Sequence, residues 1–152
     1  MLKLSLSLVA LCGFLIAEPP SGRVEYIAGT LNLGTATNGV LDCTDGTSLS
    51  VRLRSLHIAI PYRSISSLRY ESNLGGDAEV PLASDLPSEL KKRQGQFLAI
   101  RFVDAQNTPQ TLVFKVNKKD VHAILMELAR KTAPQVGNAL TAAYSSGQRR
   151  KR

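Results

Sequence analysis

The sequence predicts a mainly β fold of the α+β type, in which about seven short strands form a bent sandwich or partly open barrel capped by one C-terminal amphipathic helix. Through most of residues 23–116, apolar residues alternate with polar ones, which is the period of strands that bury one face. Beyond residue 117 the apolar spacing changes to that of a helix. The 152 residues provide for one domain of ordinary size with short appendages.

The first strands lie around a predicted hairpin. Residues 23–33 are rich in β-forming residues and precede a predicted loop over 34–39. The next strand contains Cys43, which we interpret as a small buried apolar residue. Residues 44–47, Thr-Asp-Gly-Thr, predict a tight turn whose Asp-Gly pair supplies positive φ angles.

The alternation continues after this hairpin. Apolar residues occupy alternate positions at Leu49, Val51 and Leu53. The same period extends to Pro61, which marks a turn or an edge position because proline cannot donate to a strand ladder. A further short strand is predicted over 64–70, and the stretch 72–88, which contains glycine and proline, is predicted to be a long loop.

The clearest pair of strands is predicted over 97–103 and 110–116, with a hairpin loop over 104–109. In the first strand, the apolar face consists of Leu98, Ile100 and Phe102. In the second strand, it consists of Leu112, Phe114 and Val116. Each strand therefore has one face suited to burial.

The capping helix is predicted over 118–132. Asn117 is suited to its N-cap, and Pro134 is expected to end it. Its apolar residues form one stripe at helical spacing, Val121, Ile124, Leu125 and Leu128. The stripe is expected to cover the open mouth of the sheet.

The two ends of the chain are predicted to lie outside the folded domain, which we place at residues 18–133. Residues 1–17 are typical of a removable signal peptide, since Lys3 precedes an apolar stretch of thirteen residues that is too short for the ~30 Å hydrocarbon core of a membrane. The alternative is a buried N-terminal helix. Removal of this segment predicts an extracytoplasmic protein, periplasmic or secreted, without a transmembrane helix in its mature chain. Residues 134–152 are predicted to be a disordered basic tail.

The formal net charge of +7 is concentrated at the ends of the chain. Four of the nineteen basic residues form the C-terminus, Arg149, Arg150, Lys151 and Arg152, and Lys3 belongs to the predicted signal peptide. The remaining fourteen basic residues are balanced by twelve acidic ones. No basic groove is predicted from this balance, so no specific nucleic-acid partner is expected.

Three blocks of the sequence carry a resemblance to a known family. The first block is Ile60-Pro61-Tyr62 with Ile65, Leu68 and Tyr70. The second is Lys91-Lys92-Arg93 leading to Phe97-Leu98-Ala99-Ile100. The third runs from Gln110 to Val116 and continues with Lys118 and the helix end Leu128-Ala129-Arg130-Lys131-Thr132. Together the blocks span most of residues 23–132, and they resemble the small pleckstrin-homology-like (PH/GRAM-like) domains of secreted bacterial proteins.

The resemblance implies a seven-stranded bent sandwich with a C-terminal helix, in agreement with the periodicity. It is carried by fold signatures rather than by catalytic motifs. The best-known eukaryotic members of this family bind inositol phospholipid headgroups through basic residues in the first β-turn. The corresponding residues here, 34–39, include no Lys or Arg, and this departure argues against headgroup binding.

The sequence contains no motif of an enzyme or of a cofactor site. It has no phosphate-binding glycine loop and no Cys-x-x-Cys pair. Its two histidines are His57, expected to face water from a strand, and His122 on a helix flank, a pair that does not predict a metal site. We therefore expect a non-catalytic protein without cofactors.

Two binding functions remain open. The first is a protein-interaction module that receives a peptide of another envelope or secreted protein at an edge strand or in the groove beside the helix. The second is binding to anionic membranes or polyanions, which would weaken steeply with salt. The candidate interaction residues are all basic: Lys91, Lys92, Arg93, Lys118, Lys119, Arg149, Arg150, Lys151 and Arg152.

Overall fold

The computed structural model of the protein describes residues 20–31, 33, 37–54, 56–73 and 94–136, with the backbone alone at 72, 73 and 134–136. The predicted signal peptide lies outside these ranges, as do residues 137–152 of the predicted tail. So do residues 34–36 of the first predicted loop and residues 74–88 of the long one.

Seven antiparallel strands form one sheet. They are β1 Ser21–Gly29, β2 Thr37–Asp42, β3 Ser48–Leu53, β4 Leu56–Pro61, β5 Ile65–Asn73, β6 Gln94–Val103 and β7 Pro109–Val116. Their order across the sheet is β4-β3-β2-β1-β7-β6-β5. With one C-terminal helix, α1 Val121–Val136, this mainly β architecture confirms the predicted fold class.

The sheet bends so that its two edge strands approach each other at one corner. β4 and β5 lie at opposite edges although they are consecutive in sequence. One turn of 3-10 helix, Tyr62–Ser64, joins them. Because so short a link spans at most about 14 Å, the end of β4 lies near the start of β5. In the described residues the two edges do not pair with each other, so the sheet is not closed.

The main core lies between the inner face of the sheet and α1. All residues of the predicted helix stripe are buried in it. The predicted strand faces are confirmed, because the same cluster contains Leu49, Val51, Leu53, Leu98, Ile100, Phe102, Leu112, Phe114 and Val116. Burial of each large apolar side chain contributes about 1.5–3 kcal/mol to the stability of the fold.

Part of the sheet also buries apolar side chains on its other face. Ile27, Phe97 and Val113 come from β1, β6 and β7 and pack with Ala28 and Ala99. Each of the first three is at most 2 % exposed. The alternation of one buried and one wet face therefore does not hold where these three strands meet.

The connection between β2 and β3 is held by an aspartate side chain. The Oδ1 atom of Asp45 accepts hydrogen bonds from the backbone N–H groups of Thr47, at 2.7 Å, and of Ser48, at 2.9 Å. Gly46 does not adopt a positive φ. The predicted hairpin is confirmed, whereas its predicted backbone geometry is wrong because side chain–backbone bonds shape the turn instead.

The helix begins later than predicted, because residues 118–120 form a turn. The Oδ1 atom of Asn117 accepts a hydrogen bond from the N–H of Lys119 at 3.0 Å. The carbonyl of Asn117 accepts one from the N–H of Val121 at 2.9 Å. Asn117 thus stabilises the approach to α1, as its residue type predicts.

The helix also ends later than predicted, since α1 continues through Pro134 to Val136. A proline has a φ angle that suits a helix, and near the C-terminal end its missing N–H removes only one hydrogen bond. The helix therefore extends three residues past the predicted domain boundary at residue 133. In the part of the chain that the structure describes, no helix is long and apolar enough to cross a membrane.

Candidate functional site

Strand β4 is one edge of the sheet that the described residues form. It pairs with β3 along its whole length, and no described strand lies on its other side. Its sequence, Leu-His-Ile-Ala-Ile-Pro, includes no Asp, Glu, Lys or Arg. Leu56 is 36 % exposed and is one of the two large apolar side chains that are exposed in the described residues. β4 therefore presents hydrogen-bonding groups on an uncharged, largely apolar strand.

The hydrogen bonds to β3 fix which residues of β4 face outward. The N–H of Tyr62 donates to the carbonyl of Thr47 at 3.0 Å. Because backbone groups of an antiparallel strand point to alternate sides, the even-numbered residues of β4 also face β3. The odd-numbered residues His57, Ala59 and Pro61 therefore direct their backbone groups away from the sheet. The missing N–H of Pro61 disrupts no bond within the sheet, since it would point outward.

The outer surface beside this edge is polar. Oγ of Ser50 and Nε2 of His57 are 2.8 Å apart across β3 and β4, and His57 is exposed as predicted. A Ser–His contact resembles a nucleophile–base pair, but such a pair also needs a group that orients the imidazole. Among the described residues, no carboxylate is hydrogen-bonded to His57. The contact is suited to fixing the two strands to each other.

The opposite edge strand, β5, differs from β4 in both register and charge. Its pairing with β6 shifts between Ile65 and Ser67 and again between Glu71 and Asn73. Its regular middle includes Arg69 as well as Glu71, and α1 packs against the strand. Bulges and charged side chains hinder the pairing of an edge with another chain. β5 is therefore a poorer template for an added strand than β4.

A buried lysine fastens α1 to the β2–β3 turn. The ammonium group of Lys131 donates hydrogen bonds to the carbonyl oxygens of Cys43 and of Asp45, the latter at 2.7 Å. It also lies 3.1 Å from Oε1 of Glu127 and 5.0 Å from the centroid of the Tyr62 ring. Only 8 % of the Lys131 side chain is exposed. We call these five residues the lysine clamp, and their charge-assisted bonds hold helix and turn together.

The lysine clamp encloses two unreactive polar groups. Burial raises the pKa of the fully buried Cys43 thiol to about 12, so this group is not a thiolate at neutral pH. The Tyr62 hydroxyl is buried beside it, and desolvation raises its pKa too. Among the described residues this hydroxyl has no hydrogen-bond partner of normal geometry. The interpretation of Cys43 as a small buried residue is confirmed.

The predicted basic residues lie only partly in the described chain. Lys118 and Lys119 are exposed in the turn before α1. Val24 of β1 pairs with Val116 at the end of β7, so the exposed Arg23 lies at the same end of the sheet as both lysines. Outside the described residues lie Lys91, Lys92, Arg93, Arg149, Arg150, Lys151 and Arg152.

The two histidines lie on different elements, His57 in β4 and His122 in α1. In the described ranges, no three His, Cys, Asp or Glu side chains cluster in a way that could hold a metal ion. The expectation that the chain binds no metal and no cofactor stays a prediction.

No model of a known protein family matches the sequence, and no curated protein matches it either. The resemblance to pleckstrin-homology-like domains therefore rests on the three sequence blocks and on the order of strands and helix. It stays a prediction.

Two features of the site are missed by the sequence patterns. Burial of Lys131 is not foreseeable, since a lysine near the end of a helix normally keeps its charge in water. The edge position of β4 is missed because the period of two is treated as extending from β3 to Pro61. Two signals were present: the apolar positions change from odd to even numbers between Leu53 and Leu56, and Pro61 favours a turn or an edge.

Proposed function

We propose that the protein is a non-catalytic, extracytoplasmic binding module that takes up a segment of an envelope or secreted protein as an additional strand beside β4. One observation carries the proposal: His57 and Ala59 direct backbone donors and acceptors out of an uncharged edge. In strand addition, main-chain hydrogen bonds supply affinity, and contacts of alternate side chains supply specificity. Both kinds of contact are available along β4.

The side chains of β4 indicate the chemistry of the partner segment. Leu56 and Ile58 stand on the core side of the sheet and remain partly accessible, while His57 and Ala59 are exposed on the outer side. A partner strand with apolar residues on one face and small or polar residues on the other would extend both faces. Since β4 has no charge, the partner segment needs none to dock.

Capture of the partner by crosslinking in envelope extracts tests the proposal, with Ala59→Pro compared with the unmodified protein. Proline removes an outward N–H that the sheet does not use, so we expect the fold to persist and capture to be lost. Met126→Ala is the matched control at a residue that is 63 % exposed on α1, and it should retain capture. Equal capture by Ala59→Pro would contradict strand addition at β4, and loss in Met126→Ala alone would move the site to the groove beside α1.

Export and family are further parts of the proposal. Export is supported by the signal-peptide pattern of residues 1–17. Membership of the pleckstrin-homology-like family is supported by the agreement of seven strands and a C-terminal helix with the fold that the resemblance implies. N-terminal sequencing of the protein from the envelope or medium should find a start near Glu18. Protein that accumulates in the cytoplasm with Met1 intact would contradict export.

The proposal that the protein is not an enzyme is supported by the state of its candidate nucleophiles. Cys43 is buried with a raised pKa, and the Ser50–His57 contact has no orienting carboxylate among the described residues. Broad screening of hydrolase substrates should give no turnover with the purified protein. Turnover that is abolished by Ser50→Ala would overturn this part of the proposal.

A second candidate function is binding to anionic membranes or polyanions. It is favoured by exposed Arg23, Lys118 and Lys119 at one end of the sheet, and by the basic residues 91–93 and 149–152. Co-sedimentation with anionic vesicles over a salt series is the test. Binding should fall steeply as salt rises and should weaken when Lys118 and Lys119 are both changed to Gln. Retention that persists after neutralising 91–93 and deleting 149–152 as well would exclude this function.

A further inference from the structure

We infer that the strand added beside β4 is the β4 strand of a second copy of this chain, paired antiparallel about a two-fold axis. The inference rests on the proposed function, because it names the partner of the same edge. It is drawn from the outward direction of His57 and Ala59, the position of Pro61, and the self-complementary order of side chains along the strand.

The backbone of β4 selects one register for this pairing. About a two-fold axis, His57 of each copy can lie opposite Ala59 of the other, and both residues then exchange their N–H and C=O groups across the interface. A shift by two residues in one direction would place Pro61 opposite His57 and leave the His57 carbonyl without a donor in both copies. A shift by two residues in the other direction would place His57 opposite His57 of the second copy, so that Ala59 would lie opposite residue 55, outside β4. A shift by one residue would set core-side residues against outer-side ones. The pairing is therefore centred on Ile58.

In this register the side chains complement one another. Ile58 lies opposite Ile58 of the second copy, and Leu56 lies opposite Ile60 of the second copy. Such non-hydrogen-bonded pairs bring their Cα atoms to about 4.5 Å, so the exposed Leu56 and the partly buried Ile58 become covered. β4 has no Asp, Glu, Lys or Arg, so no like charges of these residues meet along the interface.

The contrast between the two edges favours a closed pair over an open chain of copies. An open, uncharged edge without bulges invites uncontrolled pairing with other chains. Two-fold pairing of β4 with β4 uses both open edges at once and ends the association at two copies. The remaining edge of each copy is β5, where two register shifts and charged residues oppose further pairing.

Disulfide formation tests the register. In the variant Ile58→Cys, the two new thiols lie opposite each other at the axis, within the Cα separation of about 4.4–6.8 Å that a disulfide requires. The control is Leu56→Cys, whose Cα atoms in the two copies are offset by about 13 Å along the strands. We expect mild oxidation to link Ile58→Cys at least about tenfold faster, with the 58–58 peptide identified by mass spectrometry. Equal rates, or a faster reaction of the more exposed Leu56→Cys, would overturn the inference.

Sedimentation of the exported protein tests the association without new cysteines. Its weight-average mass should rise from that of one copy towards that of two as concentration increases, because so small an interface is weak. Ala59→Pro should remain at the mass of one copy while keeping the circular dichroism of the unmodified fold. An unmodified protein that stays monomeric up to about 1 mM would overturn the inference.

Failure of the inference and failure of the proposed function give different results. If the unmodified protein is monomeric but Ala59→Pro loses a partner captured from the envelope, strand addition at β4 stands and the second copy is excluded. If Ile58→Cys forms its disulfide while capture is the same in Ala59→Pro, the second copy stands and recognition of a different protein at β4 is excluded.

Discussion

The two edge strands of the sheet meet at the 3-10 turn Tyr62–Ser64 but differ in what protects them. β5 has two register shifts, charged side chains and a helix packed against it. β4 has an unbroken register with β3 and no charged side chain. Topology makes both strands edges, so the difference arises from side chains and packing. The edge available to a partner is therefore the one that side chains and packing do not protect.

The two edges also differ in how they are anchored. The side of the sheet that ends in β5 is held by the apolar stripe of α1, including the fully buried Leu128. The end of β4 has polar contacts in addition to apolar ones, because Ile60 and Tyr62 are buried in the main core and the Tyr62 ring also lies beneath the ammonium group of Lys131. Apolar packing resists unfolding over the whole contact, whereas a polar clamp acts at a few atoms.

Leu128→Ala should produce the largest loss of stability, because it removes apolar packing that holds α1 on the β5 side of the sheet. Leu128 is 0 % exposed, and removing so much of a buried side chain costs about 2–5 kcal/mol. Urea unfolding measures the loss. Met126→Ala on the same helix should change stability by less than about 0.5 kcal/mol, since this side chain is exposed. A similar loss for both variants would show that the apolar stripe is not what holds α1 in place.

Lys131→Met should produce an intermediate loss of stability, and this loss should be confined to the residues around the end of β4. The carbonyl groups of Cys43 and Asp45 would lose their donor, which costs about 1–3 kcal/mol. Hydrogen exchange should become faster at the Tyr62 N–H and nearby amides than at the amides of β5. Arg130→Met is the matched control, because the Arg130 side chain is 68 % exposed and its ion pair contributes about 0–1 kcal/mol. Equal acceleration at both edges would contradict separate anchoring.

The fold class was predictable because the period of the apolar residues follows directly from backbone geometry. The change from a period of two to a helical period after residue 117 marks the passage from β7 to α1. The break between β3 and β4 has one local signal, which the prediction did not use: the apolar positions change from odd numbers, ending at Leu53, to even numbers, starting at Leu56. Arg54 adopts a φ of 41° there, and neither Arg54 nor the following serine is a typical turn residue for that conformation. The turn residues therefore do not mark the break, and the period of two alone did not separate β4 from β3.

The lysine clamp was not predictable for a different reason. Its carbonyl partners lie 88 and 86 residues before Lys131 in the sequence. Local patterns can place a lysine on a helix, but only the tertiary fold decides which side chain meets which carbonyl. The later end of α1 has a local cause, since the pattern treats Pro134 as a stop although its φ angle is compatible with the helix. Of the candidate basic residues, the described chain includes Lys118 and Lys119 alone, both exposed.

Glu127→Gln should give a smaller effect that depends on pH. The hydrogen bond from Arg130, together with Lys131, lowers the pKa of Glu127 from 4.5 to about 2. A depressed folded-state pKa adds stability above pH 4.5 that is lost as the pH falls towards 2. The variant should therefore lose less stability than the unmodified protein as the pH falls over this range. The difference should be under about 1 kcal/mol, because solvent screens the ion pair of Glu127 with Arg130. Thermal unfolding at pH 7, 4 and 2.5 measures the difference, and parallel curves would exclude a role for this carboxylate in the lysine clamp.

Glu71→Gln should give the smallest change in stability, and the sign of this change should be opposite to that of Glu127→Gln. Burial on β5 raises the pKa of Glu71, while Arg69 opposes the shift. A raised folded-state pKa means that the ionised carboxylate destabilises the fold at neutral pH and that protonation relieves this as the pH falls. Glu71→Gln should therefore be slightly more stable than the unmodified protein at pH 7 and lose that advantage at acidic pH, in the same unfolding series. If both variants shift the curves in the same direction, Glu127 in the lysine clamp and Glu71 on β5 do not lie in the opposite environments that their neighbours predict.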